Sequence, residues 1–279
     1  MTNVWISGAN RGIGLMMAEV VGRTLPSPRI FLSCRSLDKA KAAIDQLTLM
    51  CPDIKIDYVP VECELESEAS VLKGLESIPS SVKFDMVINN AGINLFDQPD
   101  LNPLTKAKRT IQVNCDAPLM IVHYMSKQCL LSEDALVLNV SSLLGSLRSL
   151  CDKDFRQRLK SSWSATELQL LRNEYLRMVE EGQNVHSLSS RFPEYAFSKL
   201  LLSLNTQVLA RNFEEANSGV KVLAYCPGWV KTSMGGSTAS KTLATAEKDF
   251  IEFLNQPPSL VAQHSGLLYT NKRFVDIRQ

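Results

Sequence analysis

Short apolar runs alternate with longer amphipathic stretches along most of the chain. Val4–Ser7, Ile30–Cys34, Ile56–Val61, Met86–Asn89, Leu136–Val140, Val220–Tyr225 and roughly Gly266–Val275 each hold a few mostly apolar residues, the length and pattern of strands. Around 12–24, 38–50, 67–77, 104–131 and 194–214, apolar residues recur every three or four positions, as on one face of a helix. Strands buried on both faces should be nearly continuous in apolar residues, and Val137-Leu138-Asn139-Val140 and the run from Val220 to Tyr225 approximate this. Strands and helices alternate without repeats. This order predicts an α/β fold, a single domain over 1–279, with about seven strands in a parallel sheet and helices on both faces.

The stretch 145–192 breaks the rhythm. It is rich in Ser, Arg, Lys and Glu and has no strand pattern, so it reads as an insertion in the sheet scaffold. Ser164 followed by Glu167 resembles a capping box, Leu168, Leu171, Tyr175 and Met178 form one apolar stripe, and Gly182 can end the helix. An ordered helix packed on the body is expected, because a structureless loop of this length is unusual in a compact domain.

Composition narrows the function classes. The formal net charge of +1 gives no electrostatic case for nucleic acid or an anionic membrane. No window reaches the roughly 18 uninterrupted apolar residues of a membrane helix, and the N-terminus runs into a strand without a signal-peptide pattern. The seven cysteines are odd in number and scattered, with no C-x-x-C pair; free thiols in a reducing, cytoplasmic setting fit this usage. His123, His186 and His264 lie far apart without ligand spacing, so no metal is expected.

Directly after the first strand comes Ser7-Gly8-Ala9-Asn10-Arg11-Gly12-Ile13-Gly14. Glycines there let the backbone turn tightly and approach a pyrophosphate above the next helix N-terminus. The spacing is G-x-x-x-G-x-G, and its place after a strand strengthens the reading of a dinucleotide site. The second strand ends in Cys34-Arg35-Ser36, where NAD-preferring proteins of this architecture offer an acid to the ribose. Here the group is cationic. Arg35 with Arg11 could form a fork on an adenosine 2′-phosphate, which points to NADPH. Two solvated surface arginines are the ordinary alternative.

Taken together, this loop, Asn89-Asn90-Ala91-Gly92, Asn114, Ser141-Ser142, Tyr195-x-x-x-Lys199 and Pro227-Gly228 resemble the short-chain dehydrogenase/reductase family over nearly the whole chain. The resemblance implies a doubly wound, Rossmann-type sheet and hydride transfer between a nicotinamide and a carbonyl. Tyr195 and Lys199, four apart on a predicted helix, share one face. A free phenol titrates near ~10, and a neighbouring ammonium should bring it toward the working range. Tyr195 would then protonate the carbonyl oxygen, while Lys199 holds the nicotinamide ribose and Ser142 donates a hydrogen bond to that oxygen. Ser142 is preferred because the family's serine takes the second position after the fifth strand; Ser141 stays open. By the same resemblance, Asn114 anchors a proton-relay water. Gly8, Asn10, Arg11, Gly12, Ile13, Gly14, Arg35, Asn90, Ala91, Gly92, Pro227, Gly228, Val230 and Thr232 line the cofactor, together with Tyr195 and Lys199. Glu62 would lie near the adenine, where the family usually has Asp.

More than fifty residues separate Ser142 from Tyr195, against a short stretch in compact members. This resembles the branch of monomeric NADPH-dependent carbonyl reductases, with their helical segment before the tyrosine helix. Cys226-Pro227-Gly228-Trp229-Val230-Lys231-Thr232-Ser233-Met234 is close to the same branch, with Trp229 edging the substrate pocket. Trp229 could also simply fill a gap under a loop, and Cys226 could be a small buried hydrophobe. The branch implies a monomer acting on small-molecule carbonyls (ketones, aldehydes or quinones). A narrow reductase or dehydrogenase for a steroid, terpenoid, alkaloid or pterin is the second reading, and a non-catalytic NADPH-binding protein the third.

Overall fold

The computed structural model describes residues 1–54, 56–186 and 192–279. A single sheet has the order β3-β2-β1-β4-β5-β6-β7-β8, built from β1 (Thr2–Ser7), β2 (Pro28–Cys34), β3 (Asp57–Glu62), β4 (Phe84–Asn89), β5 (Leu131–Val140), β6 (Lys221–Tyr225), β7 (Leu268–Thr270) and β8 (Arg273–Val275). All neighbours are parallel except β7 and β8. The expected count of about seven is corrected to eight. The run near Gly266–Val275 folds back on itself at Asn271 and Lys272, which have φ of 47° and 63°, the left-handed pair that a tight hairpin requires.

Alternation along the strands sends side chains to opposite faces. Val4, Ile6, Met86 and Ile88 pack with α1 (Gly12–Thr24), α2 (Leu37–Met50) and α9 (Leu243–Leu254). Trp5, Phe84 and Val87 pack with α3 (Glu68–Glu76) and α5 (Ala117–Lys127) on the other side. The expected helix over 104–131 is three pieces: α4 (Pro103–Ile111), a π turn at Gln112–Asp116, and α5, after which β5 begins at Leu131. Turns of this kind, whose i→i+5 bonds take in one residue more than an α-helical turn, are rare and recur at functional sites, and this one holds Asn114.

The insertion is helical. After a short 3-10 turn it forms α6 (Lys153–Ser161), capped by Asp152, and α7 (Ala165–Glu180), which opens on a complete Ser164–Glu167 capping box. Gly182 follows at φ +70°. Leu168, Leu171, Tyr175 and Leu176 of α7 bury against Phe197, Leu200, Leu201 and Leu204 of α8 (Pro193–Glu215) and Ala107 and Ile111 of α4. Tyr175 stacks on Phe197 with ring centroids 3.6 Å apart, and its hydroxyl lies 3.0 Å from His186 Nε2. The part of the expected insertion at 187–191 lies outside the described residues. No described helix is long and apolar enough to cross a membrane, and no group of metal-ligating side chains occurs among the described residues.

Candidate active site

Strand order reverses between β1 and β4, and the loops leaving these neighbours diverge to open a crevice at their carboxyl ends. Ser7 ties the two loops together. Its hydroxyl accepts from the backbone N–H of Asn90 and of Ala91, each at 3.1 Å, and Asn90 Nδ2 donates to the Ser7 carbonyl at 2.9 Å. The glycines of the first loop are demanded by this closeness. A Cβ on Gly14 would come within 2.4 Å of both Asn90 Nδ2 and the Gly8 carbonyl oxygen, and one on Gly8 within 2.8 Å of the Ala91 Cα. Gly12 sits at φ +58° beside Thr232. The N-cap of α1 is Arg11, whose side chain makes no capping bond. The first N–H groups of α1, flanked by Gly12 and Ile13, therefore present an uncapped positive end that suits a pyrophosphate. Asn10 is half-buried in the same loop.

Arg35 and Glu62 leave the carboxyl ends of β2 and β3 and are exposed, as is Arg11. Among the described residues, neither Arg11 nor Arg35 has a carboxylate within ion-pair reach, in contrast to Arg23, Arg29, Arg109, Arg158, Arg172 and Arg211. Two unpaired guanidinium groups beside an uncapped helix and a glycine cradle fit a phosphorylated dinucleotide.

The four polar side chains singled out for chemistry converge past the ends of β4 and β5. Asn114 Oδ1 accepts from the Ile93 N–H at 2.8 Å, and its Nδ2 donates to the Ile93 carbonyl and the Ser198 hydroxyl, both at 3.0 Å. Lys199 Nζ donates to the Val140 carbonyl at 2.7 Å and lies 5.8 Å from the Tyr195 ring centre. Gly92 closes this corner: a Cβ there would stand 3.2 Å from Asn114 Oδ1 and 3.5 Å from Lys199 Nζ. Ser198 and the Val140 carbonyl escaped the sequence reading. Ser198 falls between Tyr195 and Lys199, but only the fold reveals that it meets Asn114.

The adjacent serines divide. Ser141 is buried, donating to the Lys199 carbonyl at 3.0 Å and lying 2.6 Å from the Ser203 hydroxyl. Ser142 is half-buried, its hydroxyl accepting from the Leu144 N–H at 3.2 Å and lying near enough to the Tyr195 phenol to affect its proton affinity. Desolvation pushes that phenol up to about 12, with the Cys226 sulfur adding and Ser142 acting the other way. Burial also holds the Lys199 ammonium down to about 8, against a smaller opposing pull from Cys115 and Cys226. Desolvation thus dominates both groups, where the neighbouring ammonium was expected to draw the phenol down. A protonated phenol is the form an acid needs.

After β6, Cys226 and Pro227 are buried and Gly228 turns at φ +86°. Val230 pairs with Lys241, and Thr232 reaches back toward Gly12. Trp229 is half exposed, with its indole N–H donating to the Gly235 carbonyl at 2.8 Å. Phe96, Leu143, Leu144 and Met234, from the loops after β4, β5 and β6, are exposed too.

Known proteins resemble the chain over nearly its whole length. Carbonyl reductase (NADPH) 1 of Homo sapiens is 27% identical over 277 residues, spanning 96% of this chain and 95% of that protein. Among solved structures, salutaridine reductase from Papaver somniferum superposes with a TM-score of 0.81 at 19% identity, covering 96% of this chain and 99% of that one. NADPH-bound carbonyl reductase from chicken fatty liver gives 0.69 at 22% identity, covering 96% and 95%. These two likenesses establish the fold. Residues 2–151 match the short chain dehydrogenase family, more than half of the chain, so the protein belongs to the short chain dehydrogenases.

Proposed function

We propose that the protein is an NADPH-dependent carbonyl reductase that converts ketones, aldehydes or quinones to alcohols. The observation that carries this reading is the meeting of Asn114, Ser142, Tyr195 and Lys199 beside a glycine loop and an uncapped helix end. Gly8, Asn10, Gly12, Ile13 and Gly14 would cradle the pyrophosphate, Arg11 and Arg35 the 2′-phosphate, and Glu62 would lie beside the adenine. Asn90, Ala91 and Gly92 would flank the ribose, and Pro227, Gly228, Val230 and Thr232 the carboxamide. NADPH, when bound, supplies the hydride. Ser142 donates a hydrogen bond to the substrate oxygen, polarising the carbonyl. The Tyr195 phenol gives its proton to that oxygen, and the high pKa of the phenol keeps the proton available across neutral pH. Lys199, one of whose N–H groups is committed to Val140, steadies the phenolate that results. Asn114, fixed at Ile93 and Ser198, would hold the water that returns a proton.

The apolar rim of Phe96, Leu143, Leu144, Trp229 and Met234 favours uncharged, hydrophobic carbonyls. A monomer is the proposed state, because α7 buries its apolar stripe on α8 and α4, the surface through which two copies would pair. All seven cysteines are unpaired, in keeping with a cytoplasmic setting.

The test is NADPH oxidation with menadione, an aromatic aldehyde and an isatin, each repeated with NADH. Graded turnover of several carbonyls with NADPH preferred is expected, and Tyr195→Phe should abolish it while sparing NADPH binding. Turnover of one scaffold alone would support the narrow-specificity reading. NADPH binding without turnover of any carbonyl would refute the reductase.

A further inference from the structure

The insertion and the catalytic corner meet at one ion pair. Arg172, near the middle of α7, reaches Asp116 with Nη2 at 2.5 Å from Oδ2, and the two side chains are only 17% and 22% exposed. Asp116 is the last residue of the π turn, and Asn114 lies two positions before it. The turn is therefore fastened at two places by side chains: at Asn114, to Ile93 and Ser198, and at Asp116, to the insertion.

A turn with an extra residue is a less favoured helical geometry that surrounding structure has to maintain. Relaxation to a regular α-helix would rotate every side chain in the turn about the helix axis by about 100° per residue displaced. Asn114 could not then keep both the Ile93 loop and Ser198. Burial raises the pKa of the Asp116 carboxyl, and Arg172 offsets that rise only in part. Losing either partner leaves a charge in poor solvent, which favours turning the chain outward.

We propose that Arg172 is a positioning residue for the reaction: through Asp116 it holds the π turn in the register that points Asn114 at Ile93 and Ser198. The insertion thereby contributes to turnover as well as shielding α8. This rests on the reading of Asn114 as part of the proton path.

The experiment compares Arg172→Met, Arg172→Lys and Asp116→Asn in the full-length chain. Three quantities are read: kcat and KM with menadione, NADPH affinity by fluorescence, and hydrogen–deuterium exchange of the peptides covering 92–95 and 110–118. Arg172→Met and the near-isosteric Asp116→Asn should each lower kcat about ten-fold, as small misplacements of a reacting group do. KM and NADPH affinity should stay within about two-fold, and exchange should quicken in both peptides. Arg172→Lys should recover most of the loss, and the double variant should be no worse than the poorer single one. An unchanged kcat with only a lower unfolding midpoint would reduce the pair to a structural tie and overturn the proposal. Unchanged exchange at 92–95 and 110–118 would overturn it as well, and that readout decides even if the parent protein turns over no carbonyl, the outcome that would refute the reductase reading instead.

Discussion

Lys199→Met should stabilise the protein while removing its activity. The ammonium of Lys199 is held at about 8 instead of its ordinary 10.5, chiefly by burial. Each ten-fold change in proton affinity corresponds to about 1.4 kcal/mol, so burial of this charge costs the folded state about 3 kcal/mol wherever both states are protonated. Methionine keeps the buried stem and removes the charge. It also removes the donor to the Val140 carbonyl, which returns about 1–2 kcal/mol of that gain. The net expectation is a variant more stable by about 1–2 kcal/mol at pH 7. The pH dependence has a definite sign. Between 8 and 10.5 the unfolded lysine still binds its proton while the folded one has released it, so the parent gains stability relative to the variant as pH rises through this window. The advantage of Lys199→Met should therefore be full below pH 8 and gone or reversed by 10.5. Urea unfolding of both proteins at intervals from pH 6.5 to 10.5 measures it, since every other titrating group is common to the pair. A variant less stable than the parent at pH 7, or a difference that does not change with pH, would refute the account of Lys199 as a desolvated charge.

Arg35→Asp should move the cofactor preference toward NADH by an order of magnitude or more, because a guanidinium without a carboxylate partner gives way to a carboxylate that repels a 2′-phosphate; equal NADPH and NADH kcat/KM ratios before and after substitution would take Arg35 out of the site. The two serines should separate by assay. Ser142→Ala should lower kcat by about 10²-fold with unfolding free energy nearly unchanged, the loss typical of an oxyanion donor. Ser141→Ala should instead lose about 1–2 kcal/mol of stability through its bonds to Lys199 and Ser203, and a larger loss of turnover there than at Ser142 would exchange their roles.

The first helix and the capped helix of the insertion were legible because each carries its own stop and start signals. Gly12 opens α1 after the loop, and Ser164, Glu167 and Gly182 bracket α7. The strands were readable from apolar runs, although β5 begins earlier than expected, at Leu131, because the polar Ser132, Glu133 and Asp134 break the apolar run near its start. The π turn left no mark, since one extra residue per turn does not disturb a pattern of apolar positions three and four apart. Asn271-Lys272 lacks the glycine that usually announces a two-residue hairpin, so the β7–β8 reversal was read as one strand. The sequence reading placed no helix after 235, where α9 and α10 (Pro258–Gln263) stand. In the site, Tyr195 and Lys199 were visible as a pair four apart, whereas Ser198, the Val140 carbonyl and Arg172 act across the fold and no spacing announces them.

The burial of α8 shows why that pair can be held so firmly. Ser198, Lys199, Ser203, Asn205, Thr206 and Gln207 are all buried, an unusual load for one helix. It is tolerable because each has a partner. Asn139 donates to Thr206 at 2.9 Å, Ser141 meets Ser203, and Asn205 and Thr206 donate back to the carbonyls of Leu201 and Leu202. Gln207 donates to Asp276 and accepts from Arg278, which also donates to the Leu159 carbonyl at 3.0 Å and lies 4.0 Å over the Trp163 ring. The helix is thus gripped by β5 on one side, by the Tyr175–Phe197 stack on another and by the chain's last residues, which also pin the insertion. Satisfied neutral groups of this kind cost little. Lys199 differs, because one carbonyl does not offset a desolvated ammonium. Packing gives no reason for a lysine at that position, and a methionine would fill the same volume without the charge. A group that the fold is ill suited to bury is thus the one that the proposed chemistry requires.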